Sequence, residues 1–148
     1  IDPLIGRDKE LERVVLELHL EHAANEFAER DGALRPTGHA EARWWFTSRV
    51  ARLQTAVGGA IEAERLGRSL VLPPDVFGPH PTTDGGFFHL AGVPLVNFLT
   101  APFYLFDAMD TMDKIHRPSL VAVTRAAIRI IESTACLSAA AMRGQHAS

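Results

Sequence analysis

Val14-Val15-Leu16-Glu17-Leu18-His19-Leu20, followed at once by Glu21-His22, is the stretch on which the fold reading turns. It opens apolar and β-branched and alternates after Leu16, the pattern of a strand emerging from a core. Polar groups sit directly beyond its end, and open α/β sheets gather functional groups just past the carboxyl ends of their strands. Upstream, Asp2-Pro3 favours a turn, and the mixed charges of Asp8, Lys9, Glu10, Glu12 and Arg13 predict a short helix with a solvated face.

Working downstream, Asp31-Gly32 and Pro36-Thr37-Gly38 read as turns, and Arg43-Trp44-Trp45-Phe46 as a second short strand. Thr47-Ser48 is expected to cap a helix running to about Leu66. In it Val50, Leu53, Val57 and Ile61 recur near a 3.6-residue period, and Gly67 stands where a glycine stop is expected. Ser69-Leu70-Val71-Leu72 predicts a strand stopped by Pro73-Pro74. The Pro- and Gly-rich residues 73–86 form the strongest loop signal in the chain. Asp84 then caps a short helix through Leu90, and Val93 to Leu99 is a buried strand. Ala101 to Asp113 reads as a loop. His116-Arg117-Pro118-Ser119 opens a last helix whose apolar face is Leu120, Val123, Thr124, Ala127, Ile128 and Ile131. Beyond Glu132 the Ala- and Ser-rich tail, 133–148, is expected to fray. Strands alternating with helices indicate an α/β fold, a three-layer αβα sandwich with a mixed, mostly parallel sheet.

Composition narrows the function classes. The chain has 148 residues, net charge −3 and 47% hydrophobic residues, enough for one domain with a real core. With 15 basic residues against 18 acidic ones, no bulk electrostatic case for nucleic acid or an anionic membrane exists. The single cysteine, Cys136, excludes an internal disulfide framework and multi-cysteine zinc modules. Every long apolar run is interrupted by a charge or a proline, so no membrane-spanning segment is expected. No signal peptide is visible. The chain begins at Ile1 rather than Met, and an upstream segment is expected.

Three clusters could carry chemistry. In the first, His19 and Glu21 share one face of the strand and His22 the other. His and Glu are ordinary transition-metal ligands, and the plainer alternative is a strand end meeting solvent. In the second, Asp84 lies between His80 and His89 with Gly85-Gly86 after it, a metal-site support or simply a helix cap. In the third, Asp107, Asp110 and Asp113 are spaced by threes, but the glycine and terminal glutamate of a calcium-binding EF-hand loop are absent. The alternative there is a turn with a cap. Residues 2–10 resemble the entry of AAA+ ATPases, yet no phosphate-binding loop of the form GxxxxGK[ST] follows.

The order of these clusters resembles the di-zinc aminopeptidase family of bacterial leucyl aminopeptidases, glutamate carboxypeptidases and glutaminyl cyclases. Leu20-Glu21-His22 is similar to the family strand that ends in a metal-binding acid. Thr83-Asp84-Gly85-Gly86-Phe87-Phe88 with Ala91-Gly92-Val93-Pro94 is similar to its Ser-Asp-His-x-x-Phe…Gly-Val-Pro segment. Asp110-Thr111-Met112-Asp113-Lys114-Ile115 is similar to its closing His-Thr-x-x-Asp-Thr-x-Asp-Lys-Ile segment. The likeness covers about residues 14 to 132 and implies the C-terminal part of a phosphorylase/hydrolase-like domain. It implies Glu21 as a zinc ligand, with Asp107 substituting for the family histidine that falls at Phe106. His22, Asp84, Phe106 and Asp110 are implied as pocket or support residues.

Gly85 stands where the family's second motif has histidine. The family's first metal-binding His, bridging Asp and Glu-Glu pair lie upstream of the Leu20-Glu21 strand, and nothing in the preceding residues supplies them. No catalytic residue is therefore assigned, and a general base is missing. The resemblance implies a zinc exopeptidase fragment acting on peptide substrates only within the complete protein. The alternative is an inactive peptidase-like interaction domain. An exposed apolar surface, paired with a missing N-terminal segment or a second copy, is expected.

Overall fold

The computed structural model describes residue 6 and residues 8–143. The expected Asp2-Pro3 turn and the last five residues lie outside them. The element order is helix α1 (Asp8–Leu11), strands β1 (Glu17–Leu20), β2 (Asn25–Arg30), β3 (Ala33–Ala40) and β4 (Arg43–Thr47), helix α2 (Ala51–Ala63), strand β5 (Ser69–Leu72), helix α3 (Gly85–Leu90), strand β6 (Leu95–Thr100), a 3-10 turn at Met112–Lys114, and helices α4 (Arg117–Thr134) and α5 (Ala139–Met142).

The four-stranded sheet has the order β1-β6-β4-β5. The outer pairs β1–β6 and β4–β5 are parallel and the central β6–β4 pair is antiparallel. The chain is thus an α/β sandwich on a mixed, mostly parallel sheet. Side-chain alternation along β6 divides the layers. Val96 and Phe98 face α2 and α4, joining Trp45, Leu53, Val57, Val123, Ala126 and Ile130 in one buried cluster. The Trp45 and Phe98 rings meet at 4.8 Å. Such an aromatic pair adds about 1 kcal/mol beyond the area it buries. Leu95 and Asn97 face the other way, toward α3, whose Gly85 lies over them. All six residues of β6 are buried, as expected of a strand covered on both faces.

Several expectations need correction. Residues 25–40 are a two-stranded antiparallel ribbon, β2–β3, rather than turns alone. The Asp31-Gly32 turn is present, but its flanking strands are largely polar, half-buried over most of β2 and exposed over most of β3, and carry no clean alternation. Ser48 does not cap α2. Its hydroxyl accepts from the Leu95 N–H at 2.9 Å and its own N–H donates to Leu95 O at 3.0 Å. It therefore extends the sheet, and the N-cap position falls to Val50, which makes no side-chain cap. The stop of α2 is Arg65 in the left-handed region (φ 52°) rather than Gly67. Leu66 N–H donates to Ile61 O and Arg65 N–H to Glu62 O, the paired bonds of a Schellman motif.

The apolar face of α4 is rotated from the expected one. Ser119, Val123, Ala126, Ala127, Ile130 and Thr134 are buried, whereas Leu120, Ile128 and Ile131 stand 44%, 48% and 52% exposed. The tail does not fray over its described part. Helix α5 seats Met142 fully in the core, and the Arg143 guanidinium donates to Leu11 O (2.9 Å) and Val14 O (3.0 Å). No helix among the described residues is long and apolar enough to cross a membrane.

Candidate functional site

Strands β1 and β6 run parallel, so their carboxyl ends meet at one end of the sheet. Alternation sets Glu17, His19 and Glu21 on one face of β1, the α3 side. His19 lies between the two carboxylates, with Nδ1 3.8 Å from Glu17 Oε1 and Nε2 3.3 Å from Glu21 Oε2. Glu17 was not singled out in the sequence. The Glu-x-His-x-Glu alternation was its signal, and its burial could be read only once α3 was seen to cover the strand. Its Oε2 is buried without a hydrogen-bond partner, and burial pushes its carboxyl up to about 6 against the pull of His19.

Gly85 closes this row from above. A Cβ there would lie 2.9 Å from Asn97 Oδ1, 2.9 Å from Leu95 Cδ1 and 3.2 Å from Glu17 Oε2. A Cβ on Gly86 would overlap the Pro81 carbonyl oxygen. The two glycines are thus demanded by close approach of α3 to the sheet and the preceding loop. Thr83 donates its hydroxyl to Asn97 Oδ1, tying that loop to β6. Asp84 occupies the N-cap position of α3 but makes no side-chain cap bond, so the expected cap is not formed.

His22 leaves the strand in the left-handed region (φ 47°). Its Nε2 lies 2.7 Å from Asp110 Oδ2 and its Nδ1 3.3 Å from Thr100 Oγ1. Thr100 in turn donates to His22 O and accepts from the Ala24 N–H at 2.9 Å. This latch fastens the 101–113 loop to the end of β1. Beside it the Tyr104 hydroxyl donates to Asn25 O at 2.6 Å, and burial pushes its pKa up to about 12.

Phe106 also adopts the left-handed region (φ 69°) and is 84% exposed. A non-glycine residue held there costs on the order of 1–3 kcal/mol, offset here by the surrounding turn. Asp107 belongs to the same turn, where its Oδ1 accepts from the Met109 N–H at 2.9 Å.

A cavity of about 140 Å³ opens beside Glu21, lined among others by Trp44, Phe46, Phe77, His80 and Phe106. Trp44 and Phe77 pack at 5.3 Å between ring centroids. His80 is held by Pro81 O at 2.7 Å and stacks on Phe87. The structure therefore brings Glu21 and Phe106 to one cavity and His22 to Asp110. Asp84 lies at the start of α3 and Asp107 in its own turn. Among the described residues, no three His, Cys, Asp or Glu side chains are arranged to hold a metal ion. Glu21 has His19 beside it, with Nε2 3.3 Å from its Oε2.

In comparisons with known proteins, no family model, no curated protein and no solved structure matches the chain.

Proposed function

We propose that the chain is the closing part of a zinc exopeptidase of the aminopeptidase type, inactive alone and completed by residues beyond it. One observation carries this reading. Two of the three stretches that resemble the family, far apart in sequence, meet at the carboxyl end of β1, and the third packs over the starts of β1 and β6. Glu21-His22 joins Asp110 through the His22 contact of 2.7 Å, and Thr83 joins β6 through Asn97. The carboxyl end of β1 also holds an aromatic cavity with a carboxylate at its wall.

In this reading Glu21 would be one ligand of a zinc ion held by the complete unit, and that ion would supply Lewis-acid polarisation of the scissile carbonyl and an activated water. Asp107, whose Oδ1 accepts from the Met109 N–H, would have to leave that turn to serve as the further ligand the resemblance implies. The chain's own residues supply positioning. The Trp44, Phe46 and Phe77 rings take an apolar side chain of the peptide and exclude water from it. The His22–Asp110 latch sets the height of the Phe103 to Asp110 loop over the pocket, Phe106 borders it, and Asp84 supports it from the start of α3. This reading assigns no general base among the described residues and takes it from the remainder of the complete unit.

Assay of the whole protein on aminoacyl-anilides tests this. Zinc-dependent hydrolysis that is lost in Glu21→Ala is expected, with no turnover by the 148 residues alone. Turnover by the isolated chain with added zinc would overturn the fragment reading.

A second reading has its own observation. Gly85 occupies a family histidine position, and its surroundings leave no room for a side chain. A non-catalytic interaction domain accommodates that packing. Tight stoichiometric zinc binding abolished by Glu21→Ala counts against it.

A further inference from the structure

Strand β1 has one bonded edge and one open edge. Its Glu17 and Glu21 N–H groups donate to Pro94 O and Phe98 O, both at 2.9 Å. Alternation therefore turns the N–H and C=O groups of Leu18 and Leu20 away from β6, and no strand pairs with them among the described residues. An open edge is a template for another strand.

The opposite edge of the sheet, β5, runs directly into Pro73-Pro74, which have no N–H to offer. The β1 edge has no such guard. It is also flanked by bare apolar surface. Val15, Leu16 and Leu18 form a groove with Ile131 and Leu137. Leu120, Val121, Ile128 and Ile131 of α4 are 44–60% exposed, and their spacing puts them on one stripe of that helix.

We propose that this edge binds a β-strand of a partner polypeptide in which apolar side chains alternate with basic ones. Strand addition satisfies the Leu18 and Leu20 backbone groups. Residues of the incoming strand beside Leu18 and Leu20 share their sheet face and meet the apolar groove. Residues beside Glu17, His19 and Glu21 share the acidic face, so basic side chains fit there.

The same charges argue against one pairing of two copies of this chain, the one centred on His19. Two β1 strands related by a two-fold axis and paired antiparallel about His19 set Glu17 of each opposite Glu21 of the other. Directly opposed like charges destabilise a strand pair. The proposal rests on the edge and its charges; it shares Glu21 with the zinc reading and is therefore tested on the chain without added metal.

The test uses the 148-residue chain and a capped seven-residue peptide of alternating lysine and valine. Hydrogen exchange at the Leu18 and Leu20 amides is expected to slow roughly tenfold at about ten times the peptide's Kd, with β6 amides as the control for folding. Glu21→Lys, a substitution on a partly exposed side chain, is expected to weaken the lysine peptide about fivefold. A matching glutamate–valine peptide should give no protection. Equal protection by both peptides overturns the charge argument. No protection by either, or a dimer of the chain in which Leu18 and Leu20 are already protected, overturns the proposal.

Discussion

Glu17 sets a pH dependence that can be signed. Its carboxyl is raised from 4.5 to about 6 by burial. Below pH 4.5 it is neutral in both folded and unfolded chains and contributes nothing. Between 4.5 and 6 the folded state holds the proton longer, so stability falls as pH rises, and above 6 the full penalty of a charged, half-buried carboxylate remains. The full shift corresponds to about 2 kcal/mol; partial solvent contact lowers the expected effect to about 1 kcal/mol. Glu17→Gln should therefore stabilise the fold by about that amount at pH 7 and by nothing near pH 4, as read from urea midpoints at the two pH values. Equal gains at both would show that the carboxyl is not desolvated. The same residue marks what could be seen in sequence. The alternation that places Glu17 with His19 and Glu21 was there to read, but its burial depends on α3, where even a Cβ on Gly85 would lie 3.2 Å from Glu17 Oε2.

At the scale of elements, β1, β4, β5, β6, α2 and α4 were legible because apolar period and proline stops are local signals. The β2–β3 ribbon was not, since its largely polar strands are organised by the Asp31-Gly32 turn and by ladder bonds that need a partner. Helix α4 shows a subtler limit. Its apolar arc is wide enough for two faces, and period reveals the arc without saying which half packs. Ile130 is fully buried while Ile128 is 48% exposed. Ile130→Ala should cost about 2–5 kcal/mol and Ile128→Ala no more than about 0.5 kcal/mol in thermal or urea unfolding. Comparable losses would restore the face read from the sequence.

The 101–113 loop is a separate element whose place depends on one contact. Asp110→Asn weakens the 2.7 Å bond to His22, with a loss of about 1 kcal/mol for a partly exposed charge-assisted bond. Exchange of the Asp107, Asp110 and Thr111 amides should quicken while β6 stays protected. A uniform quickening across the sheet would mean that the latch holds the whole fold and not the loop. The candidate site was legible here as a set of residues. Their pairing was not, because His22 reaches Asp110 only after a left-handed turn, a conformation histidine enters more often than most residues but still too rarely to be read from sequence.

Across the whole molecule, the two ends of the described chain are tied to each other. The expectation of a frayed tail followed from its Ala- and Ser-rich composition, which has little local drive to fold. Tertiary contacts decide otherwise. Met142 fills a site with no solvent exposure, in the same cluster as Trp45, Phe98 and Ile130. Ser138 caps α5 by accepting from the Ala141 N–H at 3.2 Å. Arg143 then reaches back 132 residues in sequence to Leu11 O, bonding the carbonyls that lead from α1 toward β1. Removing everything after Ala135 would empty the methionine site, strip those carbonyls of their donor and uncover the groove beside Leu137. The buried methionine alone is worth about 2–5 kcal/mol, a large share of the stability of a domain this size. Such a truncation should lower the urea midpoint by the equivalent of at least about 3 kcal/mol and speed exchange at the β1 amides more than at those of β5. Met142→Ala separates packing from the Arg143 tether. It should reproduce most of the stability loss without the preferential opening of β1. A truncated chain that unfolds at the same denaturant concentration as the intact one would return the segment to the frayed tail its composition suggests.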